Sequence, residues 1–578
     1  MFKLLAGFSA PVIDYPFTRS DVAMYARALH ANGGGDAAPA AALAPVDRQT
    51  WDDLLLDQYA DRLARETSIF GQQELHRRLL GAGSGADADS DATATAVRVR
   101  ALAADGADQH RAALQTACAD LRCAETEIAE LLFGDGPAPA PRWSRLLKWL
   151  PPAFLLTAAL VLLWWPLCVP ALALWALLML VQVKFCEQSQ RWERLVGTLQ
   201  LQLRAHSLLG ALAGAANLAA TTATTATTAT LAAPFRDGAA QAGKLSRQLG
   251  RSALESVIPG MKEYGEWIGL SNIRRYFAGR DLFLAHRDFL RDSYRMVAGL
   301  EADLALAREL RAAPVVCWAT QPATAESAAS TAAQLQLDGV VHPLLEQAMP
   351  LTITLEDKGA FISGQNGIGK STLLRTLGLN LITARAFGFC YARSASLPLL
   401  PVYSSMQSED SLSGGESLYI AELRRAHELL ALAGRGRAVF LIDEIFRGTN
   451  HLESVSGAAA VLDTLAQQGT VLVSSHNLVL APLLAHRLAP LCVSAEDGQL
   501  RVRPGVLAHT NGLTLLAERG FGPAIEAKAA QVHAWLGDYL AHPKDCSHGL
   551  NDVNAPKEGA CPAGDIQPHH PMRERHVN

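Results

Sequence analysis

The sequence predicts an α/β domain built on a parallel sheet, placed after a mostly α-helical region that a hydrophobic hairpin interrupts. Three observations predict it. From Leu351 onward, short β-branched or apolar runs ("LTITL", "GAFISG", "AVFLIDE", "TVLVSSH") alternate with helical stretches, the pattern of a parallel sheet covered by helices. Residues 185 to 310 show helical periodicity almost throughout. Between Lys148 and Lys184, 35 residues pass without a charge.

Composition sets the outer limits. At 578 residues the chain is long enough for several domains. Apolar residues make up 49% and charged ones 19%, a balance shifted slightly towards a membrane protein. A net charge of -5 gives no global basic field, so any nucleic-acid contact must be local. Nine scattered cysteines form no disulfide framework and fit a reducing compartment. "MFKLLAGFSAPVIDYPF" lacks a sustained apolar run, and no cleaved signal is expected.

Residues 1–140 read as an amino-terminal helical region with flexible breaks. A polar lead-in of about 30 residues is followed by the loop "ANGGGDAAPAAALAP". Helical spacing begins near Val46, with Leu54, Leu55, Tyr59 and Leu63 on one stripe. "GAGSGADADSDATATA" reads as a second break, then a helix over Val97 to Leu132 that stops at "GDGPAPAP".

The uncharged run lies in a hairpin assigned to residues 146–184. One spanning helix needs about 20 residues, so the run is too long for one span and barely enough for two. Pro166 and Pro170 break it at the centre. Arg142, Arg145 and Lys148 precede it and Lys184, Arg191 and Arg194 follow, which places both ends in the cytoplasm. The expectation is a transmembrane hairpin, tethering through residues 149–183 at the cell membrane, with Trp164 and Trp165 in an interfacial belt. The alternative is a buried helix pair in a soluble core.

Residues 185–310 form a helical core or lever domain, interrupted by the low-complexity run "AATTATTATTAT". Residues 311–535 form the α/β domain, and 536–578 a flexible tail. The tail holds Cys546, His548, Cys561, His569 and His570, whose spacing matches no standard zinc pattern.

The chemistry is concentrated in the α/β domain. "FISGQNGIGKSTLLRTL" sets the spacing G-x-x-x-x-G-K-S, from Gly364 to Ser371, between a strand and a helix. That arrangement defines a P-loop: backbone amides and the helix dipole converge on phosphate oxygens. Gly364, Gly367, Gly369, Lys370, Ser371 and Thr372 are the candidate nucleotide contacts. Lys370 would reach the β- and γ-phosphates of ATP, and the Ser371 hydroxyl would sit on Mg²⁺. In "AVFLIDEIFRGTN" an apolar strand delivers Asp443 and Glu444. Asp443 would help to hold Mg²⁺, and Glu444 would orient or deprotonate the attacking water. "VLVSSHNL" repeats the design and places His476 near the γ-phosphate or the water. "LSGG", residues 412–415, is similar to the signature of ABC transporter ATPases, although such a turn also simply caps a helix.

Taken together, "GQNGIGKSTLLR", "SGGESLYIAEL", "LIDEIFRGTN" and "VLVSSHNL" resemble the ATPase domain of the MutS family of DNA mismatch-repair proteins. "IFRGTN" is similar to the end of that family's "DEIGRGTS", "DGVVHPLLEQ" to its "RHP" segment, and "HTNGLTLLAERGFGPAIEAKAAQV" to its closing segment. The likeness covers about residues 335 to 535, and extends weakly over the levers. It implies an ATP-hydrolysing homodimer that binds DNA. On this resemblance Asn366 matches the family's loop asparagine. Ser417 takes the place of the serine that reaches the other subunit's nucleotide. The sequence departs from the family in having no Phe-x-Glu wedge near its start, no separate mismatch-reading and connector domains, and a hydrophobic hairpin where the clamp would lie. The expected protein is therefore a membrane-associated MutS relative. The alternatives are an ABC-type transporter half and a non-catalytic nucleotide-binding scaffold. Two short spans do not line a translocation path, and the complete set Lys370, Ser371, Asp443, Glu444 and His476 argues for catalysis. "NIRRYFAGRDLFLAHRDFLRDSYR" reads either as a basic face for DNA phosphates or as an ordinary solvated helix face.

Overall fold

A computed structural model describes residues 13–32, 46–81, 85–218, 231–250, 265–321, 334–406, 418–496, 499–508 and 511–541. The chain divides into two compact units, residues 1–363 with 369–506, and residues 364–368 with 507–578.

The first unit opens on helices. The expected polar lead-in contains α1 (Arg19–Asn32), started by a reciprocal cap. Thr18 N donates to Asp21 Oδ2 at 2.9 Å, and Asp21 N to Thr18 Oγ1 at 3.3 Å. The helical spacing expected beyond Val46 forms three helices: α2 (Arg48–Asp53), α3 (Leu56–Leu63) and α4 (Ile69–Leu80). Leu55 at φ 56° parts the first two, and Ser68 caps the third. Leu54, Tyr59 and Leu63 are buried as the stripe predicts, while Leu55 is half-buried at the break.

The second expected break is mostly helix, α5 (Gly85–Ala103). Tertiary contacts override its weak composition: Ala92, Val99 and Leu102 are buried, and Arg98 Nε binds Asp303 Oδ2 at 2.5 Å. The helix expected over Val97–Leu132 is broken into the end of α5, then α6 (Asp108–Cys118) and α7 (Ala129–Phe133).

The uncharged run forms α8 (Leu150–Leu160), a turn, and α9 (Cys168–Leu218), a 51-residue helix that continues past Lys184 without a break. Among the described residues one helix, Trp165–Ala215, is long and apolar enough to cross a membrane. The paired spans are not matched in length. α8 has 11 residues, about 16 Å at 1.5 Å each, against a hydrocarbon layer of about 30 Å. Nor is the pair buried in a core. Leu155, Leu156, Leu162, Leu163, Trp164 and Trp165 are all exposed, Leu162 at 90%. The base is covered: Leu147 and Leu178 join Leu270, Ile273 and Phe277 in one cluster, with Phe154 and Val181 against it.

Among the described residues this part continues with α10 (Ala239–Leu249), α11 (Ser271–Ala285) and α12 (Arg287–Ala312). The run "AATTATTATTAT" lies outside the described residues. α12 is the buried spine. Its Glu309 accepts from Arg62 Nε at 2.9 Å and from Tyr391 Oη at 3.1 Å, and Tyr391 also meets Tyr59 at 2.9 Å. These bonds tie the helices to the α/β part of the same unit.

The α/β part contains β1 (Cys317–Trp318), β2 (Leu335–Val340), β3 (Leu351–Leu355), β4 (Gly359–Gly364), β5 (Phe389–Cys390) and β6 (Ser394–Ser396). It continues with β7 (Val402–Ser405), β8 (Val439–Asp443), β9 (Thr470–Ser474), β10 (Leu488–Glu496) and β11 (Gln499–Pro504). The main sheet has the order β11-β10-β4-β9-β8-β7. β4, β9, β8 and β7 pair in parallel, and β10 with β11 forms an antiparallel edge. β4, β8 and β9 are buried along their whole length, which explains their unbroken apolar sequence. The helices of this part are α13 (Lys370–Phe387), α14 (Leu418–Ala433), α15 (His451–Gln468) and α16 (Leu480–Leu483).

The second unit holds α17 (Gly512–Glu518) and α18 (Pro523–Ala541). α18 reaches into the expected tail. Cys546, His548, Cys561, His569 and His570 lie outside the described residues.

Candidate nucleotide site

In an open parallel sheet, ligands bind beyond the carboxyl ends of the strands. Four of the expected residues of the first unit come after such ends. Asp443 closes β8 and Glu444 follows it, His476 lies two residues past β9, and Lys370 opens α13.

Asp443 is 7% exposed, and its Oδ1 accepts a hydrogen bond from Ser474 Oγ at the end of the neighbouring strand. Glu444 N donates to Ser474 O at 2.9 Å. Its carboxylate is held on both oxygens. His476 Nε2 is 2.7 Å from Oε1, and Arg447 Nη1 is 3.3 Å from Oε2. The backbone here is unusual. Glu444 has φ 56° and Phe446 φ 57°, left-handed values that cost non-glycine residues of order 1 kcal/mol or more each. Such a conformation persists only where surrounding contacts impose it.

Lys370 is 7% exposed. Burial pulls its ammonium below the usual lysine range, while the carboxylates of Glu444 and Asp443 oppose that shift. A buried cation facing two carboxylates is well placed to receive phosphate oxygens. Gly369 enters α13 at φ 98°, a conformation glycine adopts without strain. Ser371 is half-buried and Thr372 exposed in the first turn. Ser417 lies outside the described residues.

In the second unit, the segment Gly364–Ile368 is closed by Ile368 N donating to Gln365 O at 3.3 Å, and Gly367 has φ 79°. Asn366 N donates to Asn511 Oδ1 at 2.9 Å, and Asn511 Nδ2 donates to Asn366 O at 3.3 Å. Asn511 thus holds the main chain of a residue expected to touch nucleotide. Its place within "HTNGLTLLAERGFGPAIEAKAAQV" gives no sign of that role in the sequence.

Ser474 and Arg447, which bond to Asp443 and Glu444, are residues of the first unit that sequence reasoning missed. A charge three residues past Glu444, in "DEIFRGTN", is the available signal for Arg447.

The expected DNA-facing arginines are partly engaged within the protein. Arg280 donates to Ala138 O, Arg287 Nε to Leu132 O at 3.0 Å, and Arg291 Nε to Leu132 O at 2.7 Å. Arg287 and Arg291 fasten α12 to α7, and Arg280 fastens α11 to the segment after it.

Residues 360–503 match the family model described as MutS domain V. Over 207 residues the chain is 31% identical to the DNA mismatch repair protein MutS of Thermus aquaticus, covering 34% of this chain and 25% of that protein. It is 28% identical over 265 residues to a DNA mismatch repair protein MutS of Thermus thermophilus, covering 44% and 31%. With MutS of Salinibacter ruber it shares 27% identity over 215 residues, covering 33% and 24%. The chain therefore spans a quarter to a third of the length of these curated relatives.

Proposed function

The chain belongs to the MutS family, and from that premise we propose that it is a Mg²⁺-dependent ATPase acting as a homodimer on DNA at the cell membrane. The observation that carries the reading is the grouping of Lys370, Asp443, Glu444 and His476 at one end of the parallel sheet.

In this reading Lys370 holds the β- and γ-phosphates, and the glycine loop with Thr372 supplies amide and hydroxyl donors. Asp443 and Ser371 are the residues that would hold Mg²⁺. A carboxylate and a hydroxyl, completed by phosphate and water oxygens, form the oxygen donor set that this ion prefers. Mg²⁺ when bound neutralises charge developing on the phosphates. Glu444 accepts a proton from the attacking water, and His476 keeps its carboxylate in place.

Exposed apolar residues support a second copy as the partner: Leu418 (55%), Ile420 and Leu423 on α14, and Leu452 on α15. The exposed surface of α8 and α9 supports a membrane tether, with the α/β domain on the cytoplasmic side. The transporter alternative gains no support, since the matches are to mismatch-repair proteins.

The test is ATP turnover by the detergent-purified protein, read in parallel with salt-titrated binding to duplex, mismatched and branched DNA. Turnover that requires Mg²⁺ and responds to DNA supports the reading. Absence of turnover under all these conditions overturns it.

A further inference from the structure

The left-handed backbone at Glu444 and Phe446 needs contacts to impose it: Ser474 and His476 hold Glu444 from the β9 side, and α14 holds the residues that follow. Glu422, on the second turn of that helix, points its carboxylate at the loop after β8. Its Oε2 accepts from Arg447 N at 2.9 Å and from Gly448 N at 3.3 Å, and Oε1 lies 3.8 Å from Arg447 Nε. Arg447 in turn reaches Glu444 at 3.3 Å. One turn earlier, Tyr419 sets its ring edge-on to Phe446, centroids 6.0 Å apart. Gly448 approaches α14 so closely that a Cβ there would stand 2.8 Å from the Tyr419 main-chain nitrogen and 3.0 Å from its Cα. Backbone cannot yield as a side chain does, so only glycine fits.

We propose that Glu422 is a positioning residue for ATP hydrolysis, the strut through which the amino-terminal turns of α14 hold Glu444 in its working conformation. This rests on the ATPase reading above and deepens it. A displacement of the described amino-terminal end of α14, at Leu418, moves Glu422 and Tyr419 together, and with them the loop bearing Glu444. A positional error of about 1 Å at a reacting group costs on the order of 100-fold in rate, so a small helix shift suffices.

The experiment measures kcat, the KM for ATP, the Kd for a non-hydrolysable ATP analogue, and Tm for the full chain and three variants. Glu422→Ala is expected to lower kcat by roughly 10- to 100-fold, with KM and Kd within about twofold of the parent. The partly exposed loop amides regain water in that variant, so Tm should fall little. Glu422→Gln keeps a carbonyl acceptor for the amides but loses the charge facing Arg447, and should fall between the two. Gly448→Ala should reproduce the kcat loss by pushing the loop off α14. A Glu422→Ala kcat within about twofold of the parent overturns the strut. So does a fall in kcat matched by equal losses in nucleotide affinity and Tm, which marks a merely structural role. A parent protein without turnover instead removes the ATPase reading itself, and the strut with it.

Discussion

Glu444 Oε1 and His476 Nε2 stand 2.7 Å apart, joining the residues that follow two neighbouring parallel strands. The carboxylate can only accept, so the imidazole donates. That bond fixes one oxygen, and Arg447 at 3.3 Å fixes the other. A carboxylate held at both oxygens keeps its place as a base while the substrate changes shape around it.

Glu444→Gln should therefore separate binding from chemistry. The amide keeps the size and the contact with His476 but takes up no proton. Steady-state turnover is expected to fall by about 100-fold or more, with the affinity for ATP unchanged. Isothermal titration with ATP and a phosphate-release assay on the same preparation check both halves. Parental turnover in the variant removes Glu444 from the role of base.

The membrane reading has a sharper test than removal of the whole uncharged run. Leu178, Phe154 and Val181 pack with Leu270, Ile273 and Phe277, so deleting residues 149–183 also strips the base of α11. Deleting residues 155–177 removes the exposed tip and leaves that cluster. The shortened protein should move from the membrane pellet to the soluble fraction and float no longer with anionic vesicles. Full-length protein that is soluble and monodisperse without detergent contradicts the tether.

Glu301 supplies a pH-dependent test of stability away from the nucleotide site. Burial pushes its carboxyl up to about 7 from 4.5, against hydrogen bonds from Ser68 and Gly71 and the nearby Arg122 charge that favour ionisation. A raised carboxyl stabilises the fold fully below pH 4.5, and that contribution is lost as pH rises through 7. The loss amounts to roughly 3 kcal/mol at most. Glu301→Gln keeps an acceptor for Ser68 and Gly71 without ionising. Its Tm relative to the parent should therefore climb between pH 5 and pH 8. Melting curves that shift in parallel at both pH values contradict the assignment.

The elements most legible in the sequence were those whose pattern is local. β4, β8 and β9 are covered on both faces and read as continuous apolar runs, so the residues after them could be placed by number. The loop glycines were legible because Gly367 and Gly369 need positive φ. What failed depended on distant partners. Residues 85–96 have the composition of a break, yet they continue the helix whose Ala92 and Val99 are buried and whose Arg98 binds Asp303, 205 residues away. Arg287 and Arg291 look like a solvated basic face, but they bond to a carbonyl more than 150 positions earlier. Glu422 was an ordinary helix charge until α14 met the loop after β8. The left-handed Glu444 has no signature in its own sequence.

In the proposed homodimer each nucleotide site is shared between the two chains. Lys370 acts on the nucleotide of its own chain, whereas Ser417 by family resemblance acts on that of the other. Each single substitution, Lys370→Ala or Ser417→Ala, then damages both sites of its own homodimer, and each should be nearly inactive. In a mixed dimer the defects sort differently. The site built on the Lys370→Ala chain receives the altered Ser417 position of its partner and carries both defects. The other combines an intact Lys370 with an intact Ser417 and carries neither. Mixing equal amounts should restore about one working site per mixed dimer, with about half the molecules mixed if exchange is random. Relative to the parent, turnover should return to roughly a quarter, the product of that half and one site in two. Full activity in Ser417→Ala alone, at a specific rate independent of protein concentration across the dimerisation range, would leave each chain with a complete site of its own.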